Sequence, residues 1–267
     1  MSEVPNTIVN PTPAMNPSTV EQLKALRLVG MLEAWSEQQA TPTYHDLGFD
    51  ERLALLVERE HLRRSQQRLQ RRLKQAHLTT TARLSDIDFS VARGLSKSKF
   101  LELAQGQWLH QHLQLIIVGP TGVGKTFLAS VLADTVCQQG HTVRYFRTAD
   151  LLLELKLAKA DGSFAKWKRQ LASFSLLILD DWLRDPLSPE QARDLLDLLD
   201  ERYSKAACLF ATQLPIAQWH QQIQDPTLAD AILDRIVHDA LRLSLKGESM
   251  RKLTSQLQPE IAEHGIV

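Results

Sequence analysis

The chain has 267 residues, 43% of them hydrophobic, and its 31 basic side chains are balanced by 31 acidic ones. That length suits one or two domains with a real core. Zero net charge does not exclude a nucleic-acid partner, because binding needs a local patch and not a global excess. The two cysteines, Cys137 and Cys208, have no neighbour at metal-ligand spacing and read as small buried residues of a reduced, cytoplasmic chain.

Residues 1–19 contain no Lys or Arg and four prolines, so the sequence predicts a disordered tail with no secretory signal. No stretch approaches the length of a membrane-spanning helix, so no membrane partner is expected. A helical domain is predicted over 20–77. Leu23, Leu26, Val29, Leu32 and Trp35 recur at helical spacing, a turn follows near Thr41–Thr43, and Asp50 caps a long helix reaching about Ala76. In the second half of that helix seven positive side chains, Arg59, Arg63, Arg64, Arg68, Arg71, Arg72 and Lys74, meet a single acid, Glu60. At 100° per residue, Leu62, Leu69 and Leu73 cluster on one side, and Arg64, Arg68 and Arg71 on roughly the other. The helix can therefore pack on its leucines and offer a guanidinium row. That row is either a solvated face or a phosphate-tracking surface.

Residues 78–95 show no period and read as a linker. Beyond them, apolar runs at Leu113–Val118, Thr142–Phe146, Leu176–Leu179, Cys208–Ala211 and Leu241–Leu245 alternate with helical stretches. Such alternation predicts an α/β domain over 96–255, a parallel sheet flanked by helices, ahead of a C-terminal tail at 256–267. His110 and His112 precede the first run, with no further ligand nearby to make a metal site.

The run Gly119-Pro120-Thr121-Gly122-Val123-Gly124-Lys125-Thr126 fits the phosphate-loop pattern in full, after a predicted strand and ahead of a helix opening at Phe127. Its glycines let main-chain N–H groups face phosphate oxygens, and the helix N-terminus adds partial positive charge. Lys125 can reach the β and γ phosphates and the Thr126 hydroxyl can ligate Mg²⁺. Asp180 ends the apolar run Leu176–Leu179, where it can hold Mg²⁺, and Asp181 can polarise the attacking water. Gln213 follows a further strand and either orients water or simply turns the chain ahead of Pro215. Arg235 and Arg251 could each neutralise a transferring phosphoryl group, or serve as surface salt-bridge residues.

With these residues in hand, the sequence resembles the IstB-like helper ATPases of bacterial insertion sequences, an AAA+ branch close to the DnaC helicase loader. The resemblance spans about Leu23 to Lys252. Phe49–Leu56, the phosphate loop, Ala160–Ser163, Leu177–Trp182, Asp225–Arg235 and Leu245–Arg251 carry it. It implies ATP and Mg²⁺ as cofactors, with Lys125 and Thr126 in Walker A, Asp180 and Asp181 in Walker B, and Gln213 as first sensor. Arg251 would be the second sensor and Arg235 an arginine finger reaching a neighbouring subunit of a homo-oligomer. It further implies assembly on duplex DNA and help for a partner transposase in capturing a target. Lys156, Lys159, Lys166, Lys168 and Arg169 fall where helicase-loader relatives face nucleic acid. The chain departs from the family in its Asp180-Asp181 pair, where Asp-Glu is common, and in Leu183-Arg184-Asp185, where a glycine turn is usual. Slow basal hydrolysis is the expectation. A DnaC-like loader that uses ATP as an assembly switch is the alternative, discriminated by whether the N-terminal region binds a helicase or duplex DNA. No lid segment for a small-molecule kinase remains over, and no ligand set for strand cleavage is found.

Overall fold

A computed structural model describes residues 16–250. Arg251 and both chain ends lie outside the described residues. The chain divides into two compact units at Gln70–Arg71.

The first unit is helical. Helix α1 (Pro17–Ala25) is capped by the Asn16 side chain, which accepts from the Ser18 amide at 3.0 Å. Helix α2 (Val29–Ala40) follows a break at Arg27, whose φ of 58° ends α1, so the single periodic stretch predicted from Val20 is two helices. Helix α3 (Phe49–Ala76) begins one residue ahead of the expected cap. Its inward face is only in part the predicted leucine row, of which Leu69 and Leu73 are half-buried. Leu62 is 49% exposed, whereas Glu60 is buried. The reason is a polar one. The N-terminus of α2 has no cap of its own. Glu60 supplies it from a distance, accepting the Gly30 amide at 2.6 Å and the Met31 amide at 3.3 Å, while Arg64 donates to its other oxygen at 2.6 Å. Gly30 permits the approach, since a Cβ there would stand 2.9 Å from the Glu60 Cα.

Burial alone would raise the Glu60 pKa, but the bonds from Arg64, Gly30 and Met31 hold it below its ordinary value. A depressed carboxyl pKa stabilises the fold above the unfolded value and loses that contribution as pH falls through the folded one. Glu60→Ala should therefore destabilise this unit by ~2–4 kcal/mol by leaving the buried Gly30 amide, the part-buried Met31 amide and Arg64 without this acceptor. Hydrogen-exchange protection of the Gly30 and Met31 amides measures the loss, and in the variant its acid dependence should flatten.

The second unit opens with residues that the sequence suggests are a linker. They carry a 3-10 turn at Leu84–Asp86 and bury Ala82, Ile87, Arg93 and Leu95. Helices α4 (Lys97–Ala104) and α5 (Gln107–His110) lead into β1 (Leu115–Val118). Then come α6 (Lys125–Gln138), β2 (Val143–Arg147), α7 (Thr148–Ala160), α8 (Phe164–Ala172), β3 (Leu176–Asp180), α9 (Pro189–Arg202), β4 (Ala207–Thr212), α10 (Pro226–Val237) and β5 (Leu241–Ser244). All five predicted strands are present. They form one parallel sheet in the order β2-β3-β4-β1-β5. Every residue of β3 and β4 is buried, as expected of central strands covered on both faces. The parallel direction puts the carboxyl ends of β1, β3 and β4 side by side, where ligands of such sheets bind. Among the described residues, no helix is long and apolar enough to cross a membrane.

Candidate functional site

The loop between β1 and α6 takes two left-handed turns, at Gly122 (φ 82°) and Gly124 (φ 100°). Only glycine adopts these without strain, and they bend the backbone into a cradle at the α6 N-terminus. The Lys125 ammonium bonds the loop's own carbonyls, Gly119 at 2.8 Å and Pro120 at 3.0 Å. Burial pushes its pKa down, and the charges of Asp180 and Asp181 pull it back in part. The Thr126 hydroxyl donates to Asp180 Oδ2 at 2.6 Å. Asp180 also accepts from the Tyr145 hydroxyl at 2.9 Å and the Asp181 amide at 2.9 Å. Burial, then the Asp180 charge, push the Tyr145 phenol well above its ordinary range. Tyr145 therefore stays a proton donor that fixes the Asp180 rotamer. Sequence reasoning missed it, because one tyrosine in a short strand carries no signal of its own.

The corner after β3 is turned without glycine. Asp181 has φ 52° and Leu183 φ 54°. For Leu183 this left-handed geometry costs about 1–2 kcal/mol. It is held by Trp182, whose amide donates to the Ala211 carbonyl at 2.9 Å and whose carbonyl accepts from Thr212 Oγ1 at 2.7 Å. The Trp182 ring packs edge-on against Phe210 at 4.9 Å and Trp219 at 6.1 Å. Arg184, also unforeseen as a site residue, bonds Asp181 at 3.3 Å and Asp185 at 3.0 Å.

Gln213 Oε1 accepts from Thr121 Oγ1 at 2.6 Å, which brings the end of β4 onto the phosphate loop. A cavity of about 1000 Å³ joins these groups. Thr121, Gly122, Gly124, Lys125, Thr126, Phe127, Asp180, Asp181 and Gln213 line it, and so do Arg93, Arg147, Arg184 and Met250. Arg235 does not. It stands on α10, donating to the Asp200 carboxylate on α9 and to the Ala231 carbonyl at 2.9 Å.

The basic residues divide by partner. Arg59 pairs with Glu37 at 2.8 Å, Arg64 with Glu60, and Arg72 donates to the Cys137 carbonyl at 2.8 Å. Lys159 pairs with Asp194 and Lys168 lies 3.8 Å from Glu201. Among the described residues, Arg63, Arg68, Arg71, Lys74, Lys156, Lys166 and Arg169 have no carboxylate partner. Of the predicted row Arg64, Arg68 and Arg71, the first is thus committed to holding the fold.

The family model for IstB-like ATP binding proteins matches residues 21–258. An insertion sequence ATP-binding protein of Sinorhizobium fredii, y4pL, is 41% identical over 88% of this chain and 96% of its own length. The insertion sequence IS1162 ATP-binding protein of Pseudomonas fluorescens is 43% identical over 75% of this chain and 87% of its own. Among solved structures, DnaI superposes with a TM-score of 0.54 at 21% identity, covering 61% of this chain and 90% of that one. AMPPCP-bound DnaA from Aquifex aeolicus gives 0.54 at 16% identity, covering 71% and 58%. These two likenesses bear out the fold, a parallel sheet flanked by helices.

Proposed function

The chain belongs to the family of IstB-like ATP-binding proteins, and from that premise we propose that it is a DNA-dependent ATPase serving transposition. It binds ATP at the β1–α6 loop and hydrolyses it to ADP and phosphate. It assembles as a homo-oligomer on duplex DNA and helps a partner transposase select and insert into target DNA.

The observation that carries the reading is the contact of Thr126 with Asp180 at 2.6 Å beside a glycine-turned phosphate loop. Two hard oxygens so close suit Mg²⁺, so Thr126 and Asp180 are the residues that would hold it. When bound, the ion neutralises charge on the phosphate oxygens. Loop amides and Lys125 bind the phosphates, Lys125 exchanging the Gly119 and Pro120 carbonyls for phosphate oxygens. Asp180 is oriented by Tyr145. Asp181, tethered to Arg184, and Gln213, tethered to Thr121, stand on the cavity wall where an attacking water must be aligned. The DNA surface is assigned to the cations without carboxylate partners, Arg68, Arg71 and Lys74 on α3 and Lys156, Lys166 and Arg169 on α7 and α8. Arg63 is a weaker candidate because it is half-buried. Arg59, Arg64, Lys159 and Lys168 are already neutralised within the chain.

ATP turnover and sedimentation, each with and without duplex DNA, test the proposal. The expected result is DNA-dependent assembly with faster turnover. An unchanged monomer with equal turnover in both conditions would overturn it, and binding to a helicase in place of duplex DNA would favour the loader alternative. The triple variant R68A/R71A/K74A should lower DNA affinity and flatten its salt dependence by about 0.9 in log–log slope for each phosphate no longer neutralised. Lys159→Ala should leave that slope unchanged.

A further inference from the structure

Two arginines are buried in the second unit, and they differ in how their donors are satisfied. Each nitrogen of Arg202 has a partner. Its guanidinium reaches the carbonyls of Leu171 at 2.7 Å, Phe174 at 2.9 Å and Ala207 at 2.6 Å, and the Cys208 sulfur at 3.3 Å. That is a structural arginine tying α8, α9 and β4 together.

Arg93 is not matched. It is 3% exposed. Nη2 makes one long bond, 3.2 Å, to the Asp88 carbonyl, and Nε has no partner among the described residues. No described carboxylate lies within ion-pair distance. The Asp88 carboxylate, whose charge acts on Arg93, is turned to the Ser90 amide and hydroxyl at 2.8 and 2.6 Å. Burial pushes the guanidinium pKa down and the Asp88 charge offsets this only in part. A buried cation without a counter-ion is costly and persists only where something else uses it.

Its position says what uses it. The Arg93 carbonyl accepts the Lys246 amide at 2.8 Å, which pins this backbone beside the end of β5. From there the side chain reaches the phosphate loop, where a Cβ at Gly124 would stand 2.9 Å from Nη1. Arg93 also lines the same cavity as Lys125 and Thr126. A fork of N–H donors without an ion pair, set against an anion-binding loop, has the chemistry of a phosphate ligand.

We propose that Arg93 is a nucleotide-binding residue that contacts the phosphate chain of the nucleotide held at Gly119–Thr126, delivered to the site by the segment ahead of the sheet. This rests on the reading of that loop as a nucleotide site and adds a binding residue outside the motifs. It gives residues 78–95 a purpose beyond connection, because their packing sets where the Arg93 charge stands.

Calorimetric titration of the full chain with ADP, at low and moderate salt, tests it with Arg93→Met and Arg93→Lys, alongside melting temperatures without nucleotide. Arg93→Met should weaken ADP binding by about tenfold or more, equivalent to ~1.4 kcal/mol or more. It should also make the salt dependence of binding shallower. Without nucleotide its melting temperature should stay level or rise, because an uncompensated buried charge has gone. Arg93→Lys should recover part of the affinity. ADP affinity within twofold of wild type in Arg93→Met would overturn the assignment. So would weakened binding with an unchanged salt slope, which points to the base, or a fall in the nucleotide-free melting temperature, which points to a structural arginine. Failure of the wild-type chain to bind ADP would overturn the nucleotide reading of the loop together with this inference.

Discussion

Replacing Lys125 by alanine should lower ATP turnover by about a hundredfold to a thousandfold, ~3–4 kcal/mol of transition-state stabilisation, while leaving the fold intact. The two halves of this expectation have separate causes. The ammonium is buried and its charge is disfavoured by that burial, so removing it relieves a desolvation cost. What it contributes to the fold is two bonds to the carbonyls of Gly119 and Pro120. The loop that carries them is also held by the Gly119 amide on the Thr212 carbonyl at 3.1 Å and the Met250 amide on the Gly122 carbonyl at 2.9 Å. Stability should therefore move by little. Hydrolysis loses a cation set within the loop, where it can meet charge developing on the phosphoryl oxygens. Steady-state phosphate release and a thermal melt on the same preparation check both. A melting temperature that collapsed with the activity would mean the lysine is structural.

The sheet was legible because its central strands, β3 and β4, are buried on both faces and so read as continuous apolar runs. The phosphate loop was legible because its backbone requires glycine at 122 and 124 and little else can stand there. Two kinds of feature were not. Leu26-Arg27-Leu28 contains neither Gly nor Pro, yet the helix breaks at Arg27, so α1 and α2 ran together in the pattern. The face of α3 was read only in part because periodicity counts leucines: Leu69 and Leu73 are half-buried, but Leu62 is exposed. In the first unit a carboxylate outranks them, since Glu60 satisfies a helix terminus that nothing nearby can cap. Arg93 was hidden for a related reason. An isolated arginine in an aperiodic stretch signals nothing until the fold reveals that it is buried, lacks a counter-ion and touches Gly124.

The departure at residues 183–185 is also clearer in three dimensions. With a leucine at φ 54°, the corner keeps its shape because Trp182 packs against both Phe210 and Trp219. Asp181 leaves that corner pointing to Arg184. The shorter Walker B acid is thus tethered by a neighbouring guanidinium, and weak basal hydrolysis remains the expectation for the isolated chain.

The sharpest test of assembly lies in Arg235. In a single chain this arginine pairs with Asp200 and takes no part in lining the chain's own cavity. If it acts on a neighbour's nucleotide, Arg235→Ala should reduce DNA-stimulated turnover by about a thousandfold or more, the range for arginine fingers supplied in trans. Nucleotide binding to the monomer should be untouched, because the cavity is unchanged. Mixing then separates trans from cis. An Arg235→Ala subunit keeps an intact cavity and lacks the finger, and a Lys125→Ala subunit keeps the finger and lacks a working cavity. In a random one-to-one assembly with head-to-tail contacts, about one quarter of the sites join an intact cavity to an intact finger. The mixture should recover roughly that share of wild-type turnover, although each variant alone is nearly inactive. A mixture no faster than its components would place the arginine in its own chain's chemistry or in none. Recovery would mean that the Asp200 pair gives way to a neighbour's phosphate, so that hydrolysis proceeds only where one subunit abuts the next.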